Sequence, residues 1–189
     1  MKFLRIKYGL LLGCVALLAS CTDDDLKNAN SVSAKKITLT KDRTLGADLT
    51  YSDSALVKAK GFAPVLDQVT PSYGAKYSEM PNGVKIQFYD QYLQETGTIT
   101  SDYAIHKETE KITIFRKNVV VVNDQITFRT EELTWDENKK EYFSPAGTVI
   151  RKSDGSIMNG TEFRAPQDFS TYYIKEATGD TYVKGDITP

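Results

Sequence analysis

VKIQFYD, residues 84–90, alternates in steps of two, with Val84, Ile86 and Phe88 on one side and Lys85, Gln87 and Tyr89 on the other. Successive side chains of a strand point to opposite faces, so this is a strand with one face in a core and one in water. KITIF repeats the device with Ile112 and Ile114, ITFR with Ile126 and Phe128, and LTW with Leu133 and Trp135. Turn-forming clusters separate the runs: MPNG at 80–83, VND at 122–124, WDENKK at 135–140 and KSDG at 152–155. No segment keeps helical spacing with caps for three turns, so the spacing predicts an all-β domain over residues 51–189. The run Val119 to Val122 reads as a strand buried on both faces, or as one at a subunit junction.

A weak repeat supports a regular arrangement. SDYAIHKETEKITI from Ser101, TEELTWDENKKEYF from Thr130 and TEFRAPQDFSTYYI from Thr161 align at spacings of 29 and 31 residues. Each reads as strand, polar turn, strand, which predicts similar hairpins added one after another into a roll of antiparallel strands.

The N-terminus is of another kind. Lys2, Arg5 and Lys7 lead an apolar run that ends in Leu18-Ala19-Ser20, directly before Cys21. The apolar stretch over 8–19 is twelve residues, against roughly 20 for a membrane-spanning helix, and its flanks are those of a secretory signal peptide. Leu-Ala-Ser-Cys resembles the lipobox of bacterial lipoproteins, which implies cleavage after Ser20, a diacylglyceryl group on Cys21 and acylation, as with palmitate, of the freed amine. Cys14 falls within the discarded leader, so the mature chain keeps one cysteine and forms no internal disulfide. Two or more acyl chains hold a membrane stably, so Cys21 is the expected lipid anchor.

Residues 21–50 are polar and read as a lipid-anchored tether leading into a first strand. Loss of residues 1–20 removes three bases and no acid, taking the net charge from -1 to -4. A slightly acidic exported protein is a poor nucleic-acid binder. The aspartates of TDDD read as a solvated spacer, or as an export signal resembling those that carry some lipoproteins to the cell surface.

Catalytic chemistry finds little purchase. His106, the single histidine, sits in AIHKETEK and is expected at the surface; no G-x-S-x-G supplies a nucleophile for it. With one cysteine committed to lipid, no H-E-x-x-H and no paired C-x-x-C, a zinc site is not expected. DENKK lacks the residue order of a calcium loop, and there is no phosphate-binding G-x-x-x-x-G-K-[ST]. Carboxylate pairs stay open, because any two of many acids can meet in space, yet the acids gather in turns where solvation explains them. Large aromatic residues lie on nearly every predicted strand, including Phe62, Phe88, Phe115, Phe128, Trp135, Phe163 and Tyr172. They are expected as core, and together they could line an apolar slot.

With YSDSALVKAKGFAP, YSEMPNGVKIQFYD, TITSDYAIHKETEKI, NVVVVN, TEELTWDENKKEYFS and TEFRAPQDFSTYYIK in this order, the chain from Tyr51 to about Val183 resembles the LptC family of lipopolysaccharide-export proteins. The resemblance implies an open β-jellyroll of the LptA, LptC and OstA kind, with no cofactor and no enzymatic activity. It implies receipt of lipopolysaccharide from inner-membrane transporter subunits of the LptB, LptF and LptG type, and its transfer to an LptA-type periplasmic bridge. Many members keep a transmembrane helix where this chain has Cys21, which changes the anchor and not the roll. The expected location is the periplasmic face of the inner membrane, the alternative being the outer membrane or cell surface. The inward, lipid-facing set is inferred as Val84, Ile86, Phe88, Ile112, Ile114, Leu133 and Trp135, and residues 163–175 as the bridge-facing segment. The alternative function is a surface lipoprotein whose β-rich domain binds polysaccharide or protein through exposed Tyr and Trp.

Overall fold

A computed structural model describes residues 37–180. The expected leader, Cys21 and the aspartates after it lie outside the described residues. Eleven strands follow one another: β1 Leu39–Asp53, β2 Leu56–Pro71, β3 Tyr77–Met80, β4 Val84–Tyr89, β5 Glu95–Ser101, β6 Tyr103–Lys107, β7 Ile112–Asn123, β8 Ile126–Asp136, β9 Glu141–Arg151, β10 Ile157–Pro166 and β11 Tyr173–Asp180. Every pairing is antiparallel, and all strands belong to one jellyroll-like sheet.

The register explains how one sheet makes an interior. Residues 67–69 of β2 pair with 77–79 of β3, and 59–62 pair with 85–88 of β4, so β3 and β4 lie end to end along β2. β5 and β6 lie end to end along β7 in the same way, over 97–100 and 103–107. The breaks line up as a crease across the strands. Gly83 there has a φ of 86°, and a Cβ on it would stand 2.6 Å from the Ser101 carbonyl oxygen, so only glycine fits. Its neighbour across the crease, Asp102, donates its N–H to the Lys117 carbonyl at 3.0 Å and accepts from Asn118 Nδ2 at 2.5 Å. Lys117 and Asn118 both have positive φ, and the β7–β8 register shifts beside them. This is a bulge that bends the strand, as unpaired extra residues do.

Folded on that crease, the sheet brings its two halves face to face. Phe128, in the half that carries β4 and β5, stacks at 3.8 Å on Phe163 of the half that carries β3 and β6. Both rings are fully buried. The inner row of the first half is apolar across seven strands, running through register partners Gly61, Ile86, Ile99, Val121, Phe128, Val149 and Met158. The three aligned repeat segments form the hairpins β6–β7, β8–β9 and β10–β11.

Two expectations are corrected here. The domain does not begin at Tyr51: β1 starts at Leu39, within the stretch assigned to the tether, and pairs with β2 along its length. Among its first twelve residues only Ala47 is buried, so no alternating apolar pattern marks this edge strand; backbone pairing forms it. The valine run is not buried on both faces, since Val119 and Val121 are buried whereas Val120 and Val122 are half-buried.

Candidate functional site

Between the two halves lies a cavity of about 400 Å³, within the roughly 300–1,000 Å³ of small-molecule sites. One wall is apolar and comes from Leu49 on β1, Ala59 and Gly61 on β2, and Ile86 and Phe88 on β4. The facing wall is a single cross-strand row. Gln68 pairs with Ser78, Ser78 with His106, His106 with Thr113, Thr113 with Trp135, and Trp135 with Tyr142, so six strands contribute one residue each. All six residues line the cavity. The row is polar on β2, β3, β6 and β7 and turns aromatic on β8 and β9.

Beneath the polar row runs an apolar one, through Met80, Ala104, Phe115 and Leu133, all buried. At the aromatic end Phe88 meets Tyr142 edge-on at 6.3 Å, Tyr142 stacks on Phe169 at 4.5 Å, and Trp135 tilts against Tyr142 at 4.6 Å. Such pairs contribute about 0.5–1.5 kcal/mol each beyond area burial, so this end is the stiff one. Burial pushes the Tyr142 phenol well above its usual range, keeping it a neutral O–H at physiological pH.

The expected groove residues divide into three groups. Ile86, Phe88 and Trp135 line the cavity. Val84 and Leu133 belong to the closed core. Ile112 and Ile114 are misplaced by the sequence reading: Thr113 and Phe115 line the cavity, so the two isoleucines point to the other face of β7, where Ile114 sits opposite Ile105. KITIF carries apolar residues in both registers, and the pair Ile112 and Ile114 outweighed Thr113 with Phe115. A hydroxyl on the inner face hid the true register.

His106 is likewise corrected from surface residue to cavity wall. It is half-buried, and its Nδ1 is hydrogen-bonded to Thr113 Oγ1 at 2.9 Å. No carboxylate hydrogen-bonds the ring among the described residues, so the pair lacks the third group that orients a catalytic imidazole. Glu137, which also lines the cavity, is bonded to Lys111. Among the described residues no three His, Cys, Asp or Glu side chains gather as a metal cage. Gln68, Ser78 and Thr113 carry no sequence signal of their own; only the register reveals that they join His106.

At the rim, Lys140 of the β8–β9 turn donates to Asp53 at the end of β1. Tyr51, which lines the cavity, is held above its usual range by burial and then by the charges of Glu137 and Asp53. On the outer face Asp67 alternates with the cavity-lining Gln68 and is almost fully buried. Arg43 grips it in two bonds of 2.6 and 2.8 Å, and Lys41 lies between Asp67 and Glu79.

Compared with known families and with curated proteins, the chain matches none. The chemistry of the site therefore rests on its walls: an apolar face opposite a row of hydrogen-bonding groups, suited to an amphiphile.

Proposed function

We propose that this chain is a lipid carrier of the LptC type, a lipoprotein anchored through Cys21 at the periplasmic face of the inner membrane. There it takes lipopolysaccharide from an ATP-driven transporter and passes it to a periplasmic bridge of related rolls. The observation that carries this reading is the apolar side of the cavity, where Leu49, Ala59, Gly61, Ile86 and Phe88 line a space between the two halves of an all-β sheet. An acyl chain of about a dozen methylenes left in water costs roughly 10 kcal/mol at about 0.8 kcal/mol each, so a lipid crossing an aqueous space needs such a trough. Among the described residues β1 and β11 are the outer strands of the sheet, where a strand of another sheet would pair. The segment assigned to the bridge, residues 163–175, covers the end of β10 and only the first three residues of β11.

The alternative of a surface polysaccharide- or protein-binding lipoprotein called for exposed tyrosine and tryptophan on a flat face, and Tyr73, Tyr92 and Tyr173 are exposed. Trp135 is the only tryptophan, and it lines the cavity.

Depletion of the protein in its own cell tests the proposal. Newly made lipopolysaccharide is expected to accumulate at the inner membrane; unchanged delivery to the outer membrane would count against it.

A further inference from the structure

Resting on the reading of the cavity as a lipid site, a second feature bears on how its contents enter and leave. Beside the aromatic end of the cavity lies an open cleft of about 550 Å³, with Glu95, Asn123, Gln125, Lys152 and Ser170 among its walls. Between the two is a void of about 20 Å³, room for about one water molecule. The void shares Phe88 and Gln167 with the cavity, and Gly97, Asn123, Asp168 and Phe169 with the cleft, so it is the neck between them. Phe169, which forms one wall of that neck, comes from residues 167–172 between β10 and β11. Its ring is buried, stacked on Tyr142 and 6.1 Å from Phe88. Its φ is 50°, a left-handed conformation that a bulky side chain keeps only when its surroundings hold it. Little else holds the loop. Of residues 167–171, Gln167 alone makes a backbone hydrogen bond to a distant part of the chain among the described residues, donating to the Lys140 carbonyl at 3.0 Å. The Phe169 N–H donates to the Pro166 carbonyl and the Ser170 N–H to the Asp168 carboxylate, both local bonds.

We propose that residues 167–172 are a gate with Phe169 as its stopper, and that withdrawal of this ring joins the cavity to the cleft. Stacking on Tyr142 keeps the stopper seated. The left-handed backbone works the other way, since residue 169 can relax to a negative φ once the ring has left. Opening thus breaks one set of aromatic contacts, while the long-range bond from Gln167 stays in place. The cleft is polar, so an acyl chain gains nothing by resting in it. The closed gate therefore keeps the chain in the cavity, and the open one lets it through.

Stopped-flow mixing of the full chain with a fluorescent fatty acid tests this. A gate limits entry and exit alike, because both observed rates scale with the open fraction. Phe169→Ala should therefore raise the association and dissociation rates together, severalfold, with the equilibrium constant changing far less. Asp168→Ala, which frees the Ser170 N–H and leaves every ring in place, should move both rates in the same direction, and so guards against a folding defect. Faster dissociation with unchanged association would make Phe169 a plain wall and overturn the gate, as would unchanged rates in both variants. A second readout needs no lipid. In hydrogen exchange of the native chain the Phe169 and Ser170 amides should open locally, at a rate that mild denaturant leaves unchanged. Exchange of these amides only in step with global unfolding would overturn the gate. Failure of the fatty acid to bind any form would remove the lipid reading, and the exchange result would then decide the gate by itself.

Discussion

Asp53 and Lys140 are joined across the open side of the folded sheet: Lys140 Nζ donates to Asp53 Oδ2 at 2.5 Å, linking residues 87 positions apart in sequence. Asp53 ends β1 in one half, and Lys140 sits in the turn between β8 and β9 of the other. The hydrogen bond to Lys140 holds Asp53 below the usual carboxylate range, and the bond to Asp53 raises Lys140. The pair is therefore charged on both sides throughout neutral pH. The charges of Glu137, Asp53 and Lys140 all act on cavity-lining Tyr51, so the pair sits beside the cavity.

Asp53→Asn is expected to speed release of a bound acyl probe severalfold in stopped-flow dilution, with the melting temperature little changed, because exposed ion pairs are worth little to folding. Raised salt should speed release from the native chain in the same direction and leave the variant unaffected. The charge swap Asp53→Lys with Lys140→Asp should return the slow rate. Equal release from all forms would show that the pair does not hold the probe in.

The Arg43 bond is the first cause that lowers the Asp67 carboxyl, followed against it by burial. A carboxyl whose folded pKa is depressed stabilises the fold above its unfolded value of about 3.9, and that contribution disappears as pH falls through the lower folded value. Thermal melts should therefore lose stability below about pH 4. Arg43→Gln should melt lower at neutral pH and show a shallower acid decline. A variant with the native acid profile would show that Arg43 does not set the carboxyl.

Leu133 is fully buried in the core, whereas Ile114 points away from the cavity on the opposite face of β7. Leu133→Ala should cost about 2–5 kcal/mol in denaturant unfolding, the range for a buried leucine. Ile114→Ala should cost clearly less and leave acyl-probe affinity unchanged. The reverse order would restore the register in which Ile112 and Ile114 face inward.

Gly147 stands against Phe128, where a Cβ would lie 2.4 Å from the ring and 2.8 Å from the Arg129 carbonyl. Phe128 cannot yield without leaving Phe163. Gly147→Ala should cost about 1–3 kcal/mol by overpacking, read from the denaturation midpoint at constant slope. A silent substitution would show that the stacked pair is not tightly held.

The strands with alternating residues, such as β4 and β8, and the turns at MPNG, WDENKK and KSDG were legible because a buried face imposes period two and a tight turn demands particular residues. β1 was not, because an edge strand with little buried surface leaves its formation to backbone hydrogen bonds, which any sequence can make. Half of the site was hidden for a different reason. Ile86, Phe88 and Trp135 announce themselves by hydrophobicity, but Gln68, Ser78, His106 and Thr113 come from four strands and meet only through register. The crease through Gly83, Asp102 and Lys117 was equally invisible, since nothing in one strand says that its neighbours break at the same level.

Site-specific photo-crosslinking in cells most directly tests whether the cavity carries lipid. A benzophenone side chain at Ile86, which lines the cavity, and one at Ile114, on the opposite face, should give opposite results. The account predicts a lipopolysaccharide adduct at Ile86 and none at Ile114, with both proteins folded. No adduct at Ile86, or equal adducts at the two positions, would contradict it.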